Sequence, residues 1–235
     1  MKPGDLYARN ADFHGDVVRN IPGVRQSQHL FDDLSSDPSD WRIAIAVEGE
    51  ARIPTDAALI SRPFDYGTAI SYSFDAANWH ATRFSEGTYG VWYGSLAIET
   101  TVYETAWHWY RFVADSFGAE DREIVTDRRV LDVRCDALLV DLRGRERDHP
   151  ALVRRDSYVF TQKIARYLVE QDVNGILVRS SRCDGDNAAI FDAKRLSDAR
   201  DRMFLTYRLN VARDEFIAER ANRRRWLALK PSGLA

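Results

Sequence analysis

Between His80 and Glu104 the chain reads His-Ala-Thr-Arg-Phe-Ser-Glu-Gly-Thr-Tyr-Gly-Val-Trp-Tyr-Gly-Ser-Leu-Ala-Ile-Glu-Thr-Thr-Val-Tyr-Glu. Arg83 is a fixed cation, Gly87 and Gly90 punctuate a loop, and Val91, Trp92 and Tyr93 form a short apolar strand ending in an aromatic. A helix starting near Leu96 then carries one carboxylate, Glu104. A strand-to-helix corner of this kind can point a positive, an aromatic and a negative group into one cleft. A second polar concentration runs from Gly175 to Phe191, where a buried strand delivers Ser180 and Ser181, and Arg182 opens a Gly-containing loop that passes Asn187. Polar groups at a strand end beside a loop are well placed for a ligand.

Other chemistries find less support. Gly-x-Gly-x-x-Gly after a strand, a Walker loop, His-Glu-x-x-His and Gly-x-Ser-x-Gly are all absent. His80 and His108 lack the spaced Cys or carboxylate that would complete a metal site. Glu99 and Glu104 suggest a two-carboxylate glycosidase, yet five residues apart on a helix they point in different directions. Ser180 or Ser181 as a nucleophile would need a positioned base, and none is near in sequence.

The elements that must position these groups follow from periodicity. Thr68 to Phe74 is rich in strand formers. Just upstream, Pro63 pushes Arg62 to an extended conformation. From Leu96 to about Asp115, Ile98, Val102, Ala106, Trp109 and Val113 recur at helical spacing. Glu104, His108 and Arg111 share another face of that helix, as a solvated salt-bridge stripe or, given Tyr103, Trp107, Trp109 and Tyr110 around them, as a partly covered one.

Val130–Val133 and Ala137–Leu142 read as strands separated by Arg134-Cys135-Asp136. Asp156 or Ser157 caps a second helix with Val159, Ile164, Ala165, Leu168 and Val169 inward, and Asn174-Gly175 stops it in a left-handed cap. Met203–Leu209 suits a strand and Glu215–Lys230 a closing basic helix. Residues 1–56 read as a helical or irregular extension, with one helix over Asp37–Ala51, packed on a main domain of residues 57–235.

Composition narrows the class. With 235 residues, 45% hydrophobic and 29% charged, the chain can bury one sizeable core. A net charge of -3 argues against nucleic acid as the main partner. Two isolated cysteines, Cys135 and Cys183, point to a reducing compartment, and neither an apolar leader nor a membrane span stands out. These features together lead us to expect a cytoplasmic protein.

Arg83-Phe84, Tyr93-Gly94-Ser95, Glu104 and His108, then Tyr158, Gln162, Ala165 and Leu168, then Gly175-Ile176, Ser180-Ser181-Arg182, Gly185, Asn187-Ala188 and Phe191, in this order and spacing, resemble the RES domain, named for its Arg, Glu and Ser. The resemblance covers about residues 60 to 192, with Ala81-Thr82-Arg83-Phe84 where the family often has Gly-Gly-Arg-Trp, and Arg179 where it has Pro. It implies a single α+β domain with a mixed, twisted central sheet and flanking helices, similar to ADP-ribosyltransferase toxins. It also implies the toxin of a toxin-antitoxin pair, held in a hetero-oligomer by a cognate Xre-type antitoxin.

The implied chemistry is cleavage of the nicotinamide-ribose bond of NAD without a metal. ADP-ribose then passes to a protein acceptor, including enzymes of nucleotide biosynthesis, or to water or phosphate. The long N-terminal segment resembles the protein-modifying branch. By position Arg83, Tyr93 and Glu104 carry over as catalytic residues. Arg83, Tyr93, Ser180 with Ser181 as its register alternative, Arg62, Arg182 and Asn187 carry over as the set that binds NAD. On residue types alone the same groups also fit a structural ion pair, a core ring and a strand-end cap, and a non-catalytic partner-binding module is the alternative reading.

Overall fold

The computed structural model describes residues 6–23, 66–220 and 223–234, all within the unit formed by Met1–Gly23 and Tyr66–Ala235. Its centre is the 18-residue strand β5 (Ile124–Asp141). On one edge β5 pairs antiparallel with β1 (Asn10–Pro22), from Asn10↔Val140 to Pro22↔Arg128. On the other edge it meets β8 (Leu196–Asn210) and then runs parallel to β6 (Gly175–Arg179) at Val140↔Ile176. Strand β6 turns back as β7 (Asp186–Ile190), which pairs with β4 (Trp92–Ser95). Strand β4 touches β1 at Val18↔Ser95, so β1, β4, β7, β6 and β5 close on themselves. A hairpin of β9 (Glu215–Arg220) and β10 (Arg224–Leu229) extends the sheet beyond β8, and β2 (Ala81–Thr82) with β3 (Ser85–Glu86) forms a separate small ribbon. The α+β class with a mixed central sheet is as expected from sequence.

Two helices of more than one turn cover this sheet among the described residues. Helix α2 (Ile98–Phe117), which follows the single turn α1 (Thr68–Ser71), buries Ile98, Val102, Ala106 and Val113 against Val130, Leu205, Tyr207 and Phe216. Helix α3 (Val159–Glu170) buries Ile164, Ala165 and Leu168 against Leu142, Leu152, Ile176 and Val178. Apolar residues at three- and four-residue spacing make each helix amphipathic, and burying that stripe stabilises it more than propensity does.

Several segments depart from expectation for identifiable reasons. Asn10–Pro22 is a full sheet member and no irregular extension. The break expected at Arg134-Cys135-Asp136 is absent because the period of two continues through it: Val133, Cys135, Ala137 and Leu139 are buried, while Arg134 pairs with Asp136 on the outer face at 2.8 Å. Thr68–Phe74 is helical, not extended; only Ala69 is buried there, and its carbonyl accepts the Trp92 indole N–H at 2.9 Å. Glu215–Lys230 is a hairpin, since Phe216 and Ala218 alternate inward.

The start of α3 also differs. Tyr158 stands at its N-cap without a side-chain cap, Asp156 pairs with Arg154, and Val159 is exposed. At its end Asp172, with φ of 56°, takes the left-handed position, and Gly175 instead opens β6. A Cβ at Gly175 would lie 2.6 Å from the Ala189 carbonyl oxygen. Gly175→Ala is expected to destabilise the fold by about 1–3 kcal/mol, as measured by denaturant unfolding. The helix expected over Asp37–Ala51 and the candidate Arg62 lie outside the described residues.

Candidate functional site

Arg83 sits in the tight turn between β2 and β3, and α3 holds that turn from behind. The Thr161 hydroxyl donates to the Arg83 carbonyl at 2.6 Å, and the Gln162 amide donates to the carbonyls of Thr82 (2.8 Å) and Ser85 (3.1 Å). With its backbone fixed, the Arg83 guanidinium donates to the Arg154 carbonyl at 2.8 Å and to Ser181 Oγ at 2.7 Å, and lies 4.6 Å from the Tyr158 ring centroid. None of these partners is an anion, so its full charge remains available to a ligand.

Tyr93 on β4 braces the same corner. Its hydroxyl is 2.7 Å from Thr82 Oγ1 and accepts the Phe84 N–H at 3.0 Å. Burial raises the phenol well above its ordinary value, so the group stays protonated. What Tyr93 offers the cleft is a ring held rigidly in place.

Glu104 comes from the second turn of α2 and is half-buried. Its Oε1 accepts from the Ser180 hydroxyl at 2.6 Å and from the Asn187 amide at 2.8 Å. Asn187 is itself fixed by the Ser95 hydroxyl at 2.6 Å, and Ser180 Oγ accepts the Arg182 backbone N–H at 3.0 Å. Oε2 receives no hydrogen bond from the described residues. One carboxylate oxygen is therefore anchored and the other is left to the cleft that Glu104 lines.

The loop between β6 and β7 is pressed on α2 at Gly185, where a Cβ would meet Thr100 Oγ1 at 2.0 Å. The two serines have separate tasks. Ser180, 5% exposed, steadies Glu104 and does not line the cleft, whereas Ser181 lines it and holds Arg83. We expect Ser180→Ala to keep the fold and to slow any reaction that uses Glu104 by roughly 10- to 100-fold in kcat, the worth of one hydrogen bond to a charged group. Steady-state kinetics with a melting curve checks this.

The cleft has a volume of about 570 Å³. Arg83, Tyr93, Glu104, Ser181, Arg182 and Asn187 of the sequence-derived candidates all line it. Arg182 is wedged between the Trp107 ring, 4.5 Å away, and the Leu234 carbonyl, and removal from water lowers its proton affinity. His108 also faces the cleft. Although its side chain keeps contact with solvent, crowding by protein and by Arg182, Arg83 and Arg111 depresses the imidazole, against the pull of Glu104, so it is neutral at pH 7. His108, Glu104, Arg83 and Arg182 thus line one cleft.

Glu99, the second carboxylate of the glycosidase reading, is exposed on the first turn of α2 and does not line the cleft. Sequence reading passed over Arg19 and Asn20 of β1, Ser73, Thr101 and Thr105, which do, and gave Tyr158, which also does, a place in the family pattern but no site role. For Tyr158 the signal was its place one turn before Thr161 and Gln162; for β1 only the alternation of Phe13, Val17 and Arg19 was available. Among the described residues no group of three or more His, Cys, Asp or Glu is placed to hold a metal, and no helix is long and apolar enough to cross a membrane.

A family model described as the RES domain matches residues 51–210. Among solved structures, the chain is similar to one in the crystal structure of the M. tuberculosis MbcT-MbcA toxin-antitoxin complex, at 10% sequence identity over 97% of this chain and 92% of that one, with a TM-score of 0.46. No curated protein matches the chain in sequence. The family match spans well over half of the chain and takes in Arg83, Tyr93, Glu104 and the loop from Ser180 to Asn187: the chain belongs to the RES domain family.

Proposed function

We propose that the chain cleaves the nicotinamide-ribose bond of NAD and transfers the ADP-ribosyl group to a protein acceptor, as the toxin of a toxin-antitoxin pair. The observation that carries this reading is the charge arrangement: one half-anchored carboxylate in a cleft lined by the guanidiniums of Arg19, Arg83 and Arg182. NAD presents the complementary set, a diphosphate with two negative charges and a ribose carbon that becomes cationic as the bond to the pyridinium nitrogen breaks.

In the reaction the electron pair of the C–N bond leaves with nicotinamide, which departs neutral, and the positive charge passes to the ribose. Glu104, through its free Oε2, accepts hydrogen bonds from ribose hydroxyls and stabilises that charge, while Ser180 and Asn187 keep the carboxylate from swinging away. Arg83 holds phosphate, and the Tyr93 ring walls the departing base. An acceptor nucleophile bonds to the ribose carbon and releases one proton to solvent.

The resemblance to RES toxins supports an Xre-type antitoxin as the partner and an enzyme of nucleotide biosynthesis as an acceptor. The same cleft serves a glycohydrolase or phosphorylase if water or phosphate takes the acceptor's place. Purified protein incubated with NAD is expected to release nicotinamide, and brief expression in cells is expected to raise the mass of an acceptor protein by one ADP-ribosyl unit. Free ADP-ribose or its phosphate ester as the only product would replace the transferase reading with the alternative. NAD left intact by the antitoxin-free protein would leave a non-catalytic binding module.

A further inference from the structure

The cleft has a wall that the family match, residues 51–210, does not include: β1. From it Arg19 reaches into the cleft. Its guanidinium lies 5.2 Å from the centroid of the buried Trp92 ring, donates to the Tyr93 carbonyl, and reaches Ser73 Oγ at 3.3 Å. Its Nε–H is buried with no hydrogen-bond partner. No carboxylate among the described residues pairs with it.

Arg9, Arg129, Arg134, Arg143 and Arg154 all meet acids, whereas Arg19, like Arg83 across the cleft, has none among the described residues. The neighbouring Arg128 is buried as well and likewise lacks an acid among the described residues. It is satisfied by Asn20 Oδ1 and the Asn20 carbonyl, both at 3.0 Å, and lies 5.6 Å from the Tyr207 ring. Removal from water, together with the charge of Arg128, pulls the Arg19 guanidinium down to about 10, against the pull of Tyr93, so it is still charged at neutral pH. Two uncompensated cations behind one wall are costly unless an anion comes to them.

From this geometry we propose that Arg19 is a binding residue of the cleft and takes a phosphate of a phosphoanhydride substrate, with the Ser73 hydroxyl as the group that aims it. The assignment rests on reading the cleft as a dinucleotide site and names the part of the substrate that β1 contacts. A fork of N–H donors suits a phosphate, which can accept two of them at once. Tyr93 couples this cation to the other side of the site: its carbonyl holds Arg19, and its hydroxyl meets the Thr82 hydroxyl and the Phe84 N–H on either side of Arg83. The two guanidiniums thereby keep a fixed separation.

The test is calorimetric titration of the full chain with inorganic pyrophosphate and, separately, with ADP-ribose. Wild-type protein is expected to bind both, more weakly as salt rises. Arg19→Gln is expected to lose at least tenfold in affinity for each while melting as a folded protein. Should Arg19→Gln fail to fold, Arg19→Lys, which keeps the charge but not the fork, decides: a several-fold loss supports the assignment and wild-type affinity overturns it. Absence of pyrophosphate binding by the wild type, or equal binding by a folded Arg19→Gln, also overturns it. Pyrophosphate binding that depends on Arg19 in a protein that leaves NAD intact would sustain this assignment and sink the enzymatic one. Nicotinamide release at unchanged KM by Arg19→Gln would do the reverse.

Discussion

Glu104→Gln is expected to reduce nicotinamide release from NAD by about a thousandfold, close to 4 kcal/mol of transition-state stabilisation, with little change in melting temperature. The substitution keeps the side chain's shape. If its amide oxygen takes the place of Oε1, it can still accept from Ser180 and Asn187, whose donors are now at 2.6 and 2.8 Å. The loss then falls on the group replacing Oε2, which would present N–H donors instead of a negative charge to a ribose turning cationic. Because the interaction grows as the bond breaks, kcat should fall while KM stays within a few-fold. Glu99→Gln, exposed and outside the cleft, serves as the matched control and should behave as wild type. Release by Glu104→Gln within tenfold of wild type would remove the carboxylate from the mechanism.

The two oxygens of that carboxylate also explain why the site draws on two distant parts of the chain. Oε1 could not be fixed by α2 alone, since a helical glutamate has several free torsions. Ser180 at the end of β6 and Asn187 at the start of β7 supply donors from a hairpin whose register, Val178↔Asn187 and Arg179↔Asp186, is set by sheet pairing. Ser95 on β4, opposite Asn187 in the sheet, completes the chain of bonds. Paired strands thereby decide where the Glu104 carboxylate points, and a charge held in place in this way is the form of preorganisation that lowers a barrier without reorganisation during reaction.

How much of this was legible in sequence depended on whether the signal was local. The corner from Arg83 to Glu104 was readable because its glycines, apolar strand and helical repeat lie within one stretch, and α2 and α3 followed from period 3.6. Strand β5 was split in expectation because Arg134 and Asp136 are charged, although both face outward on a strand whose inward positions stay apolar. Thr68–Phe74 has strand composition but meets no sheet edge, so a helical turn under Trp92 forms instead. Arg19 was the hardest to see. Nothing near it in sequence is catalytic, and its placement depends on thirteen cross-strand pairs with β5, whose partners are more than a hundred residues away.

Arg83→Lys should lower kcat/KM for NAD by about 100- to 1,000-fold, roughly 3–4 kcal/mol, and a substantial part of the loss should appear in KM. The charge survives this change but the geometry does not. One nitrogen now donates to the Arg154 carbonyl at 2.8 Å while another donates to Ser181 Oγ at 2.7 Å, and the guanidinium carbon lies over the Tyr158 ring, 4.6 Å from its centroid. A single ammonium on a flexible stem cannot satisfy the Arg154 carbonyl and Ser181, cover the Tyr158 ring and still present a fork to phosphate. Tyr158→Ala should reproduce a minor share of the effect, about 1 kcal/mol or five-fold in KM, by releasing one face of the guanidinium. The ribbon itself should stay in place in both variants, because Thr161 and Gln162 hold the backbone and not the side chain. A Lys variant with wild-type KM would mean that Arg83 contributes charge alone, and the phosphate contact would then have to be assigned to Arg182 or Arg19.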